Sequence, residues 1–173
     1  SVKERLKTYK NLEVNFGNSK TKIQAINADM EDQDFDICLL ASDDMIPQVE
    51  GYDQIIQRMM KVNYPDLDGV IWFSDGYQKR KLNTLTIVGK KYYDRFGYLY
   101  HPDYTSFYCD NEFMTVAFLY GKQTYVDDVI IKHEHPDNTK DAIDLTYAIN
   151  NQHVMRDQMV FANRSKMMFG IKL

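Results

Sequence analysis

Two short apolar runs, Phe35–Ala41 and Gly69–Phe73, constrain most strongly what this chain can fold into. Each run is almost continuously hydrophobic, as in a strand that is covered on both faces of a sheet. Between them, the apolar residues from Val49 to Val62 have helical spacing. Strands that alternate with helices are typical of an α/β fold. The sequence therefore predicts a mixed, mostly parallel central sheet with helices on both faces.

The remaining apolar patterns continue this alternation along the 173 residues of the chain. Further strands are predicted at Leu12–Phe16, Asn83–Val88 and Tyr125–Lys132, and further helices at Lys20–Met30 and from Asp110 to Gly121. We interpret the chain as one domain, with the core sheet and the site in residues 1–136 and a helical tail in residues 137–173. In open sheets of this class, functional groups collect beyond the carboxyl ends of the strands.

Charge and composition exclude several classes of function. The chain has 21 basic and 25 acidic residues and a pI near 5.5, which argues against a broad nucleic-acid interface. No apolar run approaches the length of a membrane span, and no signal segment opens the sequence. Two cysteines, Cys38 and Cys109, are too few for a disulfide scaffold. We therefore expect a cytoplasmic protein with neither a nucleic-acid partner nor a transmembrane segment.

The first candidate site is Ser42-Asp43-Asp44, directly after the apolar run that ends at Ala41. Two adjacent carboxylates repel each other in a partly desolvated cleft, and a divalent cation relieves that repulsion. Hard oxygen ligands suit Mg²⁺ or Mn²⁺. The alternative is a turn in which one of the two aspartates caps the helix that follows Pro47.

The second candidate is Asp110 and Glu112, at the start of a predicted helix. Carboxylates in a first helical turn are stabilised by the helix dipole, which is a complete structural explanation. The functional alternative makes one of them a general base that takes a proton from a hydroxyl group.

The third candidate is His133-Glu134-His135, at the end of the last predicted strand. Residues two apart in a strand point to the same face, so both imidazoles can reach one site. Neutral histidine is a common metal ligand, and Asp43 or Asp44 would supply a third ligand if the strands are neighbours. The alternative is a polar strand end that turns at Pro136.

Several familiar motifs do not occur in the sequence. There is no G-x-x-x-x-G-K-[ST] phosphate loop, no G-x-G-x-x-G dinucleotide fingerprint and no G-x-S-x-G nucleophile elbow. A C-x-x-C pair for zinc is also lacking. If the protein binds phosphate groups, we therefore expect a metal ion rather than a glycine loop to bind them.

Four segments in a fixed order resemble the GT-A-type glycosyltransferases, in particular family 2-like enzymes of bacterial and phage origin. The matching residues are Phe16–Ile23 with Asn27, Leu39–Asp44, Asp110–Phe113 and His133–His135. The resemblance covers roughly residues 11–136. It implies a GT-A-like, Rossmann-related fold. The family begins with a strand, a helix and a strand that hold the nucleotide base, so this chain is expected to be amino-terminally truncated.

By this resemblance, Asp43 stands at the second acidic position of the family's Asp-x-Asp motif, which binds Mn²⁺ or Mg²⁺ and the donor diphosphate. Asp44 is the adjoining acidic residue, and His133 or His135 is the late histidine that completes the metal site. The sequence departs from the motif at Ala41, where the family usually has its first aspartate.

The same resemblance implies roles for residues around the metal site. Asp110 corresponds to the base that activates the acceptor in inverting members, and Glu112 is the neighbouring carboxylate. Asn18, Lys22 and Ser42 are candidates for contact with the donor nucleotide.

Aromatic and acidic residues near these segments are candidates for the acceptor side. Sugars present flat C–H faces that pack on aromatic rings. We expect Trp72, Asp75 and Tyr108 to contact the acceptor, with Trp72 as the best single candidate because the only tryptophan lies beside a candidate site.

The implied function is metal-dependent transfer of a sugar from a nucleotide-diphosphate donor, expected to be a UDP-sugar, to a hydroxyl of a glycan or another acceptor. The reaction is expected to be inverting, with a carboxylate base. Two alternatives stay open: a metal-dependent hydrolase of nucleotide sugars, and a non-catalytic remnant of a transferase that binds a sugar or a partner protein.

Overall fold

The computed structural model describes residues 4, 6, 8–28, 30–31, 33–135 and 152–171. Within these residues, helices α1 to α5 span Lys22–Asn27, Tyr52–Asn63, Lys90–Asp94, Cys109–Leu119 and Val154–Lys166. Strands β1 to β6 span Ile37–Leu39, Met45–Pro47, Val70–Phe73, Ile87–Gly89, Gln123–Val126 and Ile131–His133. Short 3₁₀ turns occur at Lys79–Lys81 and Met168–Gly170.

The main sheet has four strands in the order β1-β4-β3-β5. Strand β4 is antiparallel to both β1 and β3, whereas β3 and β5 are parallel. The prediction of an α/β fold with a mixed sheet is therefore confirmed. The prediction of a mostly parallel sheet is not confirmed, because two of the three described pairings are antiparallel. A helical crossover through α3 and α4 separates β4 from β5, and such a crossover is what parallel pairing with β3 requires.

A separate two-stranded ribbon joins β2 to β6 in antiparallel pairing. In this ribbon Met45 is paired with His133, so the end of β6 lies beside the turn that precedes β2. A backbone hydrogen bond from the N–H of Glu134 to the carbonyl oxygen of Asp44 (2.9 Å) continues the pairing into that turn. The ribbon therefore brings the first and third candidate sites together.

Side chains that alternate along the strands of the main sheet belong to two different hydrophobic clusters. Val70 and Val88 pack with side chains of α1, α3 and α4, while Ile71 and Ile87 pack with side chains of α2. The successive residues of a strand point to opposite faces, so these two clusters lie on opposite faces of the sheet. Helices thus cover both faces, as the sequence predicts.

The apolar run at 69–73 forms β3, whose four residues are all buried between strands β4 and β5. The run at 35–41 contributes only Ile37–Leu39, and this strand is half-buried at the edge of the sheet. The prediction of a central strand there is wrong. A hydrophobic run indicates that a segment is buried, but it does not show whether strands or helices bury it. Here α1 and its flanking residues supply part of the cover, through Ile26 and Met30 in the same cluster as Cys38 and Leu40.

The strand predicted at 12–16 is wrong. Leu12, Val14 and Phe16 are exposed at 45%, 38% and 67%, and no strand is assigned there. Alternation of polar and apolar residues makes a strand only where a partner supplies hydrogen bonds. The strand predicted at 125–132 is two strands, β5 and β6, which are separated by the acidic pair Asp127-Asp128.

The predicted helical tail contains α5, whereas its segment at 137–151 lies outside the described residues. Side chains of α5 pack on the cluster that contains α4, through Val160 and Phe161. Among the described helices, none combines the length and the apolar character that crossing a membrane requires. The single-domain prediction stays a prediction.

Candidate functional site

A cavity of about 150 Å³ lies where five separate segments of the chain meet. It is lined by Lys22, Ile26, Leu40, Ala41, Ser42, Met45, Thr84, Tyr100, Ser106, Cys109, Asp110 and His133. These residues come from α1, from the segment that joins β1 to β2, from the residue range before β4, from the start of α4 with its preceding loop, and from the end of β6. At least one residue from each of the four segments on which the family resemblance rests therefore lines the cavity.

An acid–imidazole pair stands at the edge of this cavity. The Nε2 atom of His133 lies 3.2 Å from Oδ2 of Asp44. The hydroxyl of Ser42 donates a short hydrogen bond to Oδ1 of the same carboxylate. Partial burial raises the pKa of Asp44, but the Ser42 hydrogen bond and the charge of His133 outweigh it, so this pKa lies below its ordinary value. Asp44 is therefore held in its ionised form.

The second histidine lies against the first. The rings of His133 and His135 meet edge to face, with centroids 5.5 Å apart and an interplanar angle of 83°. Burial lowers the pKa of His133, although the carboxylate of Asp44 opposes that shift. A neutral imidazole is the form that binds metal ions.

The donor atoms at this edge fit a cation only in part. No group of three His, Cys, Asp or Glu side chains is arranged to hold a metal ion within the described ranges. Asp44 and His133 nevertheless place a carboxylate and an imidazole side by side. Mg²⁺ in nucleotide enzymes commonly takes one or two protein ligands and completes its shell with substrate phosphates and water. The pair fits a cation that is shared with a substrate.

Asp43 does not join this pair. Its side chain is exposed, and it does not line the cavity, whereas the adjacent Asp44 turns towards His133. The two aspartates lie in a tight turn, where successive side chains point in different directions. Of the two acidic residues predicted as ligands, the structure brings Asp44 to the histidine.

Asp110 lies in the first turn of α4 and faces the cavity. Its Oδ1 accepts a hydrogen bond of 2.9 Å from the backbone N–H of Asn111. Burial raises the pKa of Asp110 above its ordinary value, while that hydrogen bond and the charges of Lys22 and His133 limit the rise. A carboxylate with a raised pKa is a stronger base than one in water, which is the property that general-base catalysis needs.

The candidate donor contacts divide into two groups. Lys22 and Ser42 line the cavity, and Lys22 is exposed at the start of α1 beyond its N-cap, Thr21. Asn18 is exposed in the segment before α1 and does not line the cavity. A lysine at the mouth of a cavity supplies a positive charge that favours an anionic ligand.

Glu112 is not brought to the cavity. Its carboxylate accepts two hydrogen bonds from Arg164, from Nε and from a terminal nitrogen, each 2.8 Å long. The hydroxyl of Tyr104 donates a third, of 2.7 Å. Two residues along a helix are separated by about 200°, so Asp110 and Glu112 face opposite sides of α4. The structure gives Glu112 a role in packing rather than a place beside Asp110.

None of the three predicted acceptor residues lines the cavity. Trp72 is buried in β3, where its ring meets that of Tyr125 at 4.6 Å between centroids. Asp75 is buried, and its carboxylate accepts hydrogen bonds from the backbone N–H groups of the following turn and from the hydroxyl of Thr84 (2.7 Å). Tyr108 packs on Phe161 of α5. Each has a structural partner, and Trp72 and Asp75 are buried, whereas Tyr108 is half-buried.

Met45, Thr84 and Ser106 line the cavity although they were not predicted as site residues. Asn27 was part of the resemblance and holds Tyr100 in place, because its side chain donates to the Tyr100 carbonyl oxygen (2.7 Å) and accepts from the N–H of Leu99 (3.0 Å).

Comparison of the chain with protein-family models, with curated proteins and with solved structures finds no match.

Proposed function

We propose that this protein is a metal-dependent glycosyltransferase that transfers a sugar from a nucleotide-diphosphate donor, with a UDP-sugar as the expected donor, to an acceptor hydroxyl. One observation carries the proposal: Lys22, Ser42, Asp110 and His133, which are far apart in sequence, line one cavity, and Asp44 stands beside His133. This combination provides a positive charge, an acid–imidazole pair that could bind a cation and a half-buried carboxylate at one cavity. An inverting transfer can use these three groups to attract the diphosphate, to stabilise its developing charge and to activate the acceptor hydroxyl.

Asp110 is proposed as the general base. Its raised pKa suits it to accept the proton of the acceptor hydroxyl as that oxygen attacks the anomeric carbon from the face opposite to the leaving group. The new bond joins the acceptor oxygen to the sugar, and the bond between the sugar and the nucleotide diphosphate breaks. Such a base contributes roughly 10²- to 10⁴-fold to the rate.

Asp44 and His133 are proposed to hold the cation, with His135 beside them. When bound, a divalent cation stabilises the negative charge on the departing diphosphate. Ser42 keeps the carboxylate of Asp44 in place through its hydrogen bond, and the charge of Lys22 attracts the phosphates into the cavity. Asp43 is the ligand that the family resemblance favours, and the contrast between Asp43 and Asp44 is open to experiment.

The size of the cavity limits what it holds. Its volume of about 150 Å³ is below the roughly 300–1,000 Å³ of a pocket that encloses a complete small-molecule ligand. We therefore expect it to hold the reacting groups and the phosphates, while the nucleoside and the rest of the acceptor extend beyond it.

Thermal unfolding with Mn²⁺ and UDP, each alone and both together, tests the binding part of this proposal. A ligand that binds only the folded protein stabilises it by about 2.7 kcal/mol at one hundred times its Kd. We expect a clear rise of the midpoint only with both additions. A rise with UDP alone would favour the non-catalytic binding module, and the lack of any rise would contradict the proposal.

Product analysis separates transfer from hydrolysis. Incubation with a UDP-sugar and Mn²⁺ should release UDP in proportion to added acceptor, and the sugar should appear on that acceptor. Equal release of UDP and free sugar, at a rate that acceptors do not change, would identify a hydrolase instead.

A further inference from the structure

We propose that Asp157 of α5 is a positioning residue for Asp110, because it fixes the segment at 105–107 that leads directly into α4. This inference rests on the proposed function, since it concerns how the candidate base is held. Asp157 does not line the cavity, so it acts through the chain that carries Asp110 and not on a substrate.

The contacts of Asp157 are concentrated on three successive residues. Its carboxylate accepts hydrogen bonds from the backbone N–H groups of Thr105 (3.0 and 3.1 Å), Ser106 (2.8 Å) and Phe107 (2.9 Å). Arg156 donates to the same carboxylate (2.8 Å) and to the hydroxyl of Thr105 (2.6 Å). Asp157 itself is completely buried. A buried carboxylate that accepts several N–H groups is a strongly directional anchor.

The anchored segment belongs to the cavity wall. Ser106 lines the cavity, and its carbonyl oxygen accepts a hydrogen bond from the thiol of Cys109 (3.6 Å). Helix α4 begins at Cys109, so only Tyr108 lies between the anchored segment and the helix. Tyr108 has a φ of 61°, a left-handed conformation that a tyrosine adopts only where its surroundings enforce it. The direction in which α4 starts is thereby set by residues 105–108.

A second contact holds the other side of the same helical turn. Arg164, two turns after Asp157 on α5, binds Glu112 through two hydrogen bonds and also donates to the carbonyl oxygen of Phe169 (3.2 Å). Asp110 lies between Ser106 and Glu112 in sequence. Helix α5 therefore holds the chain on both sides of Asp110, through residues 105–107 before it and through Glu112 after it.

This arrangement has a consequence for catalysis. First turns of helices fray because their N–H groups have no intrahelical acceptors. A displacement of about 1 Å at a reacting group lowers the rate of an enzyme by roughly 100-fold. Loss of the Asp157 anchor is therefore expected to lower kcat by up to about that factor, while the KM for the donor changes little because Asp44, His133 and Lys22 stand on other elements.

Hydrogen exchange of the unaltered protein is the first test. Residues 105–107 lie outside helices and strands, yet we expect their amide protons to exchange slowly, as slowly as those of buried strand residues. Exchange at the rate of an open loop would overturn the proposal without any variant.

The variant Asp157→Asn is the second test, with Asp53→Asn as the control. Asp53 is an exposed aspartate in the first turn of α2, so its substitution makes the same chemical change away from the cavity. We expect Asp157→Asn to speed exchange at residues 105–107 by roughly 10- to 100-fold. The control should leave that exchange, kcat and KM unchanged.

The combined readouts distinguish the possible outcomes. Faster exchange confined to 105–107 and to the start of α4, with lower kcat and unchanged donor KM, supports the positioning role. Equal loss of protection across the whole protein, with kcat and donor binding lost together, would overturn it in favour of a purely structural role. Local loss of protection in a protein whose unaltered form neither binds Mn²⁺ with UDP nor transfers sugar would reject the proposed function but support the anchor.

Discussion

His133 Nε2 lies 3.2 Å from Asp44 Oδ2, and this contact joins the end of strand β6 to the turn before strand β2. The register of the ribbon produces the contact, because Met45 is paired with His133. The two residues are far apart in sequence and carry ligand types that suit a divalent cation. Their meeting beside the cavity that contains Asp110 is the basis of the proposed function.

Substitutions of the two adjacent aspartates should have different effects. Asp44→Asn removes a charge that faces His133, so we expect it to abolish the thermal stabilisation by Mn²⁺ with UDP. Asp43→Asn should retain most of that stabilisation, because the Asp43 side chain is exposed and does not line the cavity. Thermal melts of both variants at equal ligand concentrations give the comparison. If only Asp43→Asn lost the stabilisation by Mn²⁺ with UDP, Asp43 would be the metal ligand, as the family resemblance indicates.

Asp110→Asn should separate turnover from stability. We expect turnover to fall by roughly 10²- to 10⁴-fold while binding of Mn²⁺ with UDP persists. The folded-state pKa of Asp110 is raised, so ionisation of this carboxyl costs stability once the pH exceeds its unfolded value. An asparagine carries no charge, and the variant should therefore melt at a higher temperature than the unaltered protein at pH 7. Normal turnover in the purified variant would remove Asp110 from the mechanism.

The same pKa shift fixes the direction of the pH dependence. A general base works only when it is deprotonated, so kcat should decline as the pH falls through the pKa of Asp110. Because burial raises that pKa, the decline should begin at a higher pH than an ordinary aspartate would give. Single-turnover rates across an acidic series, on protein shown to remain folded, provide the measurement. A rate that is flat down to the ordinary aspartate range would contradict the role of Asp110.

Glu112→Gln is expected to affect stability more than metal-dependent binding. Glu112 is 4% exposed and forms a two-point ion pair with Arg164, so neutralising it leaves the largely buried guanidinium with only the exposed and more distant carboxylate of Asp103 (3.9 Å). Breaking such a pair costs roughly 3 kcal/mol of unfolding free energy. Urea denaturation measures this cost, and binding of Mn²⁺ with UDP should persist.

Glu134→Gln is the matched control for that measurement of stability. Glu134 forms an exposed ion pair with Lys132 (3.0 Å), and exposed pairs add little to stability. A loss of stability in Glu112→Gln no larger than in this control would contradict the packing role of Glu112.

Local patterns in the sequence predict which elements are buried better than they predict which strands are neighbours in the sheet. The run at 69–73 is buried on both faces and forms β3, as its continuous hydrophobicity predicts. The run at 35–41 has a similar composition but forms an edge strand, because burial by α1 and burial by a second strand leave the same hydrophobic pattern. Pairing partners depend on contacts between distant residues, and one sequence contains no direct record of them.

The candidate site was likewise predicted from the sequence only in part. The order of the four segments predicts that Lys22, Ser42, Asp110 and His133 belong together, and they do line one cavity. Glu112 was predicted beside Asp110, but it does not line the cavity, because two residues along a helix face nearly opposite directions.

Two charged residues of α5 illustrate a signal that the sequence does contain. Asp157 and Arg164 lie on the same stripe as Val154, Val160 and Phe161, which have helical spacing on a half-buried face. Charged residues on an apolar stripe indicate buried polar contacts. The partners of those contacts, at 105–107 and in α4, come only from the structure.

Nuclear magnetic resonance with Mn²⁺ as a paramagnetic probe tests the shared cavity most directly. In the presence of UDP, we expect the lowest Mn²⁺ concentrations to broaden the signals of Asp44, His133 and Asp110 most strongly, with the broadening falling off steeply with distance from the cavity. Broadening at an unrelated part of the surface, with Asp44, His133 and Asp110 unaffected, would contradict a metal site beside the proposed base.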